Sequence, residues 1–142
     1  MPLRVLFLNN QDLLDEWWCE SKPHLQRVVS EAARGEFTTS DIYTLVREKR
    51  MHLVVVIDGE SVVLAMAFEF ILYPRITACN IVALGGSRLR EIEAAFFVAF
   101  KDWCKTMNVT VIEASCSSSM TAKLSRFGFK KTYEVVRYEL PA

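Results

Sequence analysis

Residues 81–107 constrain this chain more than any other stretch. An apolar β-type run, Ile81-Val82-Ala83-Leu84, meets a glycine pair, Gly85-Gly86, and Ser87-Arg88 then opens a long helix. Ile92, Ala95, Phe96, Ala99, Trp103 and Met107 recur at three- and four-residue steps, which predicts one apolar helix face. Strand, glycine turn and helix N-terminus in that order present free backbone N–H groups, the layout that can hold an anion.

The flanking sequence supplies a sheet for that unit. Residues 4–8 read as a first strand, with Asn9-Asn10 as a stop that caps a short helix over residues 11–19. Trp17 and Trp18 are adjacent and cannot both point the same way, so one is expected in the core and the other at a contact surface. Ser21-Lys22-Pro23 reads as a fresh helix start, carrying Leu25, Val28, Val29 and Ala32 on its apolar stripe. His24 beside it reads as a surface histidine. Thr38 and Asp41 outline a capping box for the next short helix.

Residues 52–57 and 61–71 flank Asp58-Gly59, a strong hairpin signal, and residues 76–84 form the third strand of a meander. After the long helix, Asn108 is a C-terminal stop, residues 110–114 are another strand, and residues 120–127 a short helix closed by Gly128. Residues 132–140 alternate and predict a last strand. The expected order is β-α-α-α, three antiparallel strands, then α-β-α-β. That is an α/β (α+β) single domain over residues 1–142, with a mixed central sheet, helices on both faces and a C-terminal β-α-β unit. The strand after the long helix should run parallel to the one before it.

Composition narrows the function classes. Seventeen basic and seventeen acidic residues cancel, so the field expected of a nucleic-acid binder is missing. Cys19, Cys79, Cys104 and Cys116 have no paired metal spacing, so no metal site is expected. The longest apolar run, residues 61–73, contains Glu69 and is too short for a membrane span. No signal peptide precedes the first strand, which points to reduced thiols in a cytoplasm. A hydrophobic fraction of 51% implies a dense core or an apolar surface kept for a partner.

The element order resembles the GNAT (Gcn5-related N-acetyltransferase) fold. The local matches are Leu124-Ser125-Arg126-Phe127-Gly128-Phe129, similar to the family's segment ending in Gly-Phe, and residues 103–109, similar to the end of the helix after its cofactor loop. The resemblance implies an acetyl-CoA site in which loop amides of an Arg/Gln-x-x-Gly-x-Gly/Ala motif hold the diphosphate. Ungapped alignment puts Arg88 on the first motif position and Glu91 and Glu93 on the two small-residue positions. Two unit charges about 4 Å apart repel by roughly 4 kcal/mol at an effective dielectric near 20. A gapped alignment instead makes Gly85, Gly86, Ser87 and Arg88 the cofactor-binding residues.

The resemblance implies a general-acid tyrosine where Leu124 stands, and Leu124 cannot donate a proton. Ser117 stands where an asparagine is common. Glu69 and Glu113 are the carboxylates open to a base role, and Cys116 reads as a packed thiol rather than a nucleophile. No catalytic residue is therefore assigned.

A Trp-bearing first helix, Thr38-Thr39-Ser40-Asp41-Ile42, Tyr73-Pro74 and Leu84-Gly85-Gly86 also resemble GNAT-like proteins of tailed phages, of the internal virion protein type. The expectation is a pseudoenzyme: a non-catalytic structural or binding component with no cofactor. Its partners would be other virion proteins or a second copy of itself, in the virion or the host cytoplasm. The alternative is an active acetyltransferase using acetyl-CoA on a small amine or a protein amino group.

Overall fold

The computed structural model describes residues 3–87 and 89–142, without the side chain of Leu89. Strands β1 (Leu3–Phe7), β2 (His52–Asp58), β3 (Ser61–Leu72), β4 (Thr77–Gly86) and β5 (Val111–Ala114) form one sheet in the order β1-β2-β3-β4-β5. The first four pair antiparallel, and β5 joins β4 in parallel, as the crossover expectation required. Helices α1 (Gln11–Ala32) and α2 (Thr39–Arg47) cover one face. Helices α3 (Leu89–Thr106) and α4 (Ser118–Ser125) cover the other. Leu53, Val55 and Ile57 of β2 point to α1 and α2, while Val54 and Val56 point the opposite way, the two-residue alternation of a strand buried on both sides.

Several local expectations hold. Thr38 and Asp41 exchange both capping-box hydrogen bonds. Asn108 takes φ +59° after α3, and Gly128 takes φ +93° after α4. The Asp-Gly hairpin forms one residue later than expected. Asp58 pairs with Ser61, so Gly59 and Glu60 make the loop, and only Gly59 has positive φ.

Four expectations need correction. The break at Ser21-Lys22-Pro23 does not occur, and α1 runs through Pro23. Leu14, Ser21 and Leu25 are buried along one continuous stripe, and that packing outweighs the single helix bond that proline removes. The glycine pair is not a turn, because β4 continues through Gly86, with Gly85 opposite Ala65 and Gly86 opposite Leu64. The buried face of α3 is Ile92, Glu93, Phe96, Phe97, Phe100 and Cys104, while Ala95, Ala99 and Met107 are exposed. Three phenylalanines bury more area than two alanines and so set the rotation of the helix. Finally, among the described residues, 132–140 pair with no strand, and the C-terminal β-α-β unit lacks its last member.

Gly85 is required for space, not conformation. A Cβ there would collide with the His24 carbonyl oxygen of α1 and come within 3.0 Å of Val28 Cγ2. A backbone atom cannot swing aside as a side chain can. Gly85→Ala should lower the unfolding free energy by about 1–3 kcal/mol through overpacking, measured by urea denaturation. Unchanged stability would mean that α1 does not seat on β4 at this point.

Candidate functional site

The β4–α3 junction is where an anion was expected, and its parts are committed elsewhere. Gly85 is occupied by the approach of α1. The Gly86 carbonyl accepts a hydrogen bond from the Arg27 guanidinium of α1. The Ser87 N–H donates to the Val63 carbonyl at 3.1 Å. Arg88, the fourth expected binding residue, lies outside the described residues. Helix geometry leaves the backbone N–H groups of Leu89 and Arg90, in the first turn of α3, without intrahelical partners.

The two glutamates at the start of α3 behave differently. Glu91 is exposed. Glu93 lies on the buried face of α3 at 3% exposure, with its Oε1 3.1 Å from Lys123 Nζ of α4. Among the described residues Oε1 accepts no aligned hydrogen bond, so the contact is an ion pair. Of the two carboxylates placed at the motif positions, Glu93 is thus turned to Lys123 and Glu91 stays exposed. Sequence reasoning missed the Glu93–Lys123 pair. Its signal was the placement of Glu93 at helical spacing with Phe96, Phe97 and Phe100.

Strands β4 and β5 pair only from Ala78–Val111 to Ile81–Ala114 and then part. The parting begins at a bulge: Ala67 faces Ala83 and Phe68 faces Ile81, which leaves Val82 extra in β4. One polar row crosses the sheet just before it. Glu69, Asn80 and Glu113 are in register on β3, β4 and β5. Their chain neighbours Phe68, Phe70, Cys79, Ile81, Ile112 and Ala114 all pack toward α3, so the three polar residues point to the α1 and α2 side. Asn80 Nδ2 donates to Glu69 Oε1 at 3.2 Å, and the Tyr73 hydroxyl donates to Glu113 Oε1 at 2.6 Å. That second bond, by favouring the neutral phenol, holds the Tyr73 pKa above its usual value.

The remaining candidates have ordinary surroundings. Leu124 is buried among core residues of the α3 side. Ser117 caps α4, accepting from the Met120 N–H at 3.3 Å. Cys116 is exposed, not packed, with its Sγ 3.4 Å from the Thr121 hydroxyl. His24 is half-buried within α1, and its Nε2 donates to the Val62 carbonyl at 2.8 Å. Both tryptophans of α1 are half-buried, and Trp18 lies against Tyr43 at 5.2 Å between ring centres. Among the described residues, no helix is long and apolar enough to cross a membrane.

No protein-family model and no curated sequence relative matches the chain. Solved structures match it along its length. A possible acetyltransferase from Clostridium difficile 630 superposes with a TM-score of 0.71 at 13% identity, covering 100% of both chains. An aminoglycoside acetyltransferase from an uncultured soil metagenomic sample, in complex with sisomicin, gives 0.72 at 10% identity, covering 98% of this chain and 97% of that one. A second aminoglycoside acetyltransferase from an uncultured soil metagenomic sample gives 0.68 at 16%, covering 100% and 99%. Identities this low speak to the fold, and the fold is that of GNAT acetyltransferases.

Proposed function

We propose that this GNAT-fold chain works by binding other proteins and does not use acetyl-CoA. The carrying observation is the commitment of Gly85, Gly86 and Ser87 to the sheet and to α1. A diphosphate needs several free amides converging on one point, with room for close approach. Among the described residues, helix geometry leaves spare amides at Leu89 and Arg90 of the first turn of α3, and the acidic residue of that turn is Glu91. The described residues of this junction therefore do not fit the cofactor. Leu124, buried where the resembled family carries its acid, supports the same reading.

Calorimetric titration with acetyl-CoA tests it. No saturable heat is expected, and tight stoichiometric binding would overturn the proposal. The sequence resemblance to GNAT-like phage proteins supports a virion as the place of action. Mass spectrometry of purified particles should then find the chain.

A second reading is favoured by the polar row. Glu69 and Glu113 flank Asn80 on neighbouring strands, close to where β4 and β5 part. Two carboxylates in that position suit an ammonium group, and either could accept its proton. An acetyltransferase acting on a small cationic amine would be built this way. Thiol release from acetyl-CoA, assayed with polyamines and aminoglycosides, checks it. Activity that falls in Glu69→Gln or Glu113→Gln would favour this reading over the first.

A further inference from the structure

The sides of α1 and α2 turned away from the sheet enclose a groove. It has a volume of about 350 Å³ and is lined by Asp15, Trp18, Cys19 and Lys22 of α1 and by Tyr43 and Thr44 of α2. The four α1 residues stand at i, i+3, i+4 and i+7, which makes them one stripe along the helix. Trp18 is half-buried, with its ring 5.2 Å from that of Tyr43 between centres, and Cys19 is exposed. The stripe ends in opposite charges, Asp15 and Lys22. The Tyr43 hydroxyl and Gln11 Nε2 both donate to Asp15 Oδ1, at 2.7 and 3.0 Å, which holds the carboxylate in place. Asp15 and Lys22 are seven residues apart, about 10.5 Å along the axis, the spacing of two turns of a second helix.

We infer that this stripe is a contact between two copies of the chain, with α1 of one lying antiparallel across α1 of the other and the two-fold axis passing between Trp18 and Cys19. Self-complementarity selects a second copy as the occupant. A two-fold centred there sets Asp15 of each copy against Lys22 of the other, and Trp18 of each against Cys19 of the other. Continued along the helix, it sets Gln11 opposite Gln26 and Glu16 opposite Ser21, and no two like charges come opposite each other between Gln11 and Gln26. Trp18 of the second copy thereby enters the groove beside Tyr43 and Thr44, so each copy supplies one aromatic anchor and receives one. This is the contact role that two adjacent tryptophans called for. A chain of zero formal net charge adds no global repulsion. The contact is isologous and closes at two.

The test uses the full chain. Sedimentation equilibrium should give twice 16.3 kDa. Lys22→Asp sets two carboxylates face to face at both ends of the contact, and Asp15→Lys sets two ammonium groups there. Each variant should weaken dimerisation by at least about tenfold. Mixed together, the two variants should recover a heterodimer, because each then meets its opposite charge at both ends. Cys19→Arg, at an exposed position beside the axis, should give a folded monomer and serves as the disrupting variant if Asp15→Lys does not fold. Far-UV circular dichroism checks the fold of all three. A monomeric parent overturns the inference. So does a dimer that survives both Lys22→Asp and Cys19→Arg, or a mixture of folded Lys22→Asp and Asp15→Lys that stays monomeric. None of these readouts involves acetyl-CoA, so the inference and the proposed function fail separately.

Discussion

Phe68→Ala should cost about 3–5 kcal/mol of unfolding free energy, the usual range for truncating a fully buried phenylalanine. Phe68 of β3 is 0% exposed. Its ring has neighbours from four elements: Phe7 of β1 at 6.4 Å between ring centres, His52 of β2 at 5.4 Å, Phe70 of β3 at 6.0 Å, and Phe100 and Trp103 of α3 at 5.2 and 5.5 Å. Those neighbours also hold one another, with Phe7 stacked on Trp103 at 4.4 Å. The ring set cannot collapse inward without moving the sheet against α3, so most of the cavity should persist. A domain has about 5–15 kcal/mol to lose, so the variant should be marginal at best. Urea denaturation monitored by tryptophan fluorescence measures the effect. A loss under about 1 kcal/mol would show that the cluster repacks around the missing ring.

What could be read from the sequence was what is decided locally. The Thr38–Asp41 capping box, Asn108 and Gly128 are fixed by backbone groups within a few residues, so their signals survive without tertiary information. The meander was legible for the same reason, since a hairpin's partner is its neighbour in the chain. The misreadings share the opposite cause. Pro23 marks a helix start only if nothing packs across it, and the stripe from Leu14 to Leu25 does. Gly85-Gly86 looks like a turn until α1 is seen resting on it. The rotation of α3 depends on which apolar residues the sheet can accommodate. Residues 132–140 carry a sound strand pattern, but a strand needs an edge to join, and the pattern does not name one. At the candidate site, the sequence singled out Glu69 and Glu113 as carboxylates. Their alignment through Asn80 required the registers of β3, β4 and β5.

Lys123→Met is expected to destabilise the fold out of proportion to the exposure of the residue it changes. The Lys123 side chain is 33% exposed, but the side chain of its partner Glu93 is only 5% exposed, and with the lysine gone the carboxylate stays in the interface between α3 and α4 without a counter-charge. Removing one partner of a buried pair costs about 3–5 kcal/mol, and the partial solvent access of Lys123 places this case toward the lower end of that range. Glu93→Leu should be close to neutral, because it removes the charge and fills the same volume with apolar atoms. The double variant, Glu93→Leu with Lys123→Met, should therefore be more stable than Lys123→Met alone, which a double-mutant cycle measures. A neutral Lys123→Met would show that water already serves Glu93. The same geometry bears on the cofactor question. Because Glu93 turns toward α4, Glu93→Gly would loosen the α3–α4 contact without adding a free amide to the first turn of α3. It should lower stability and leave acetyl-CoA unbound, whereas a simple electrostatic block at the helix entrance would predict recovered binding.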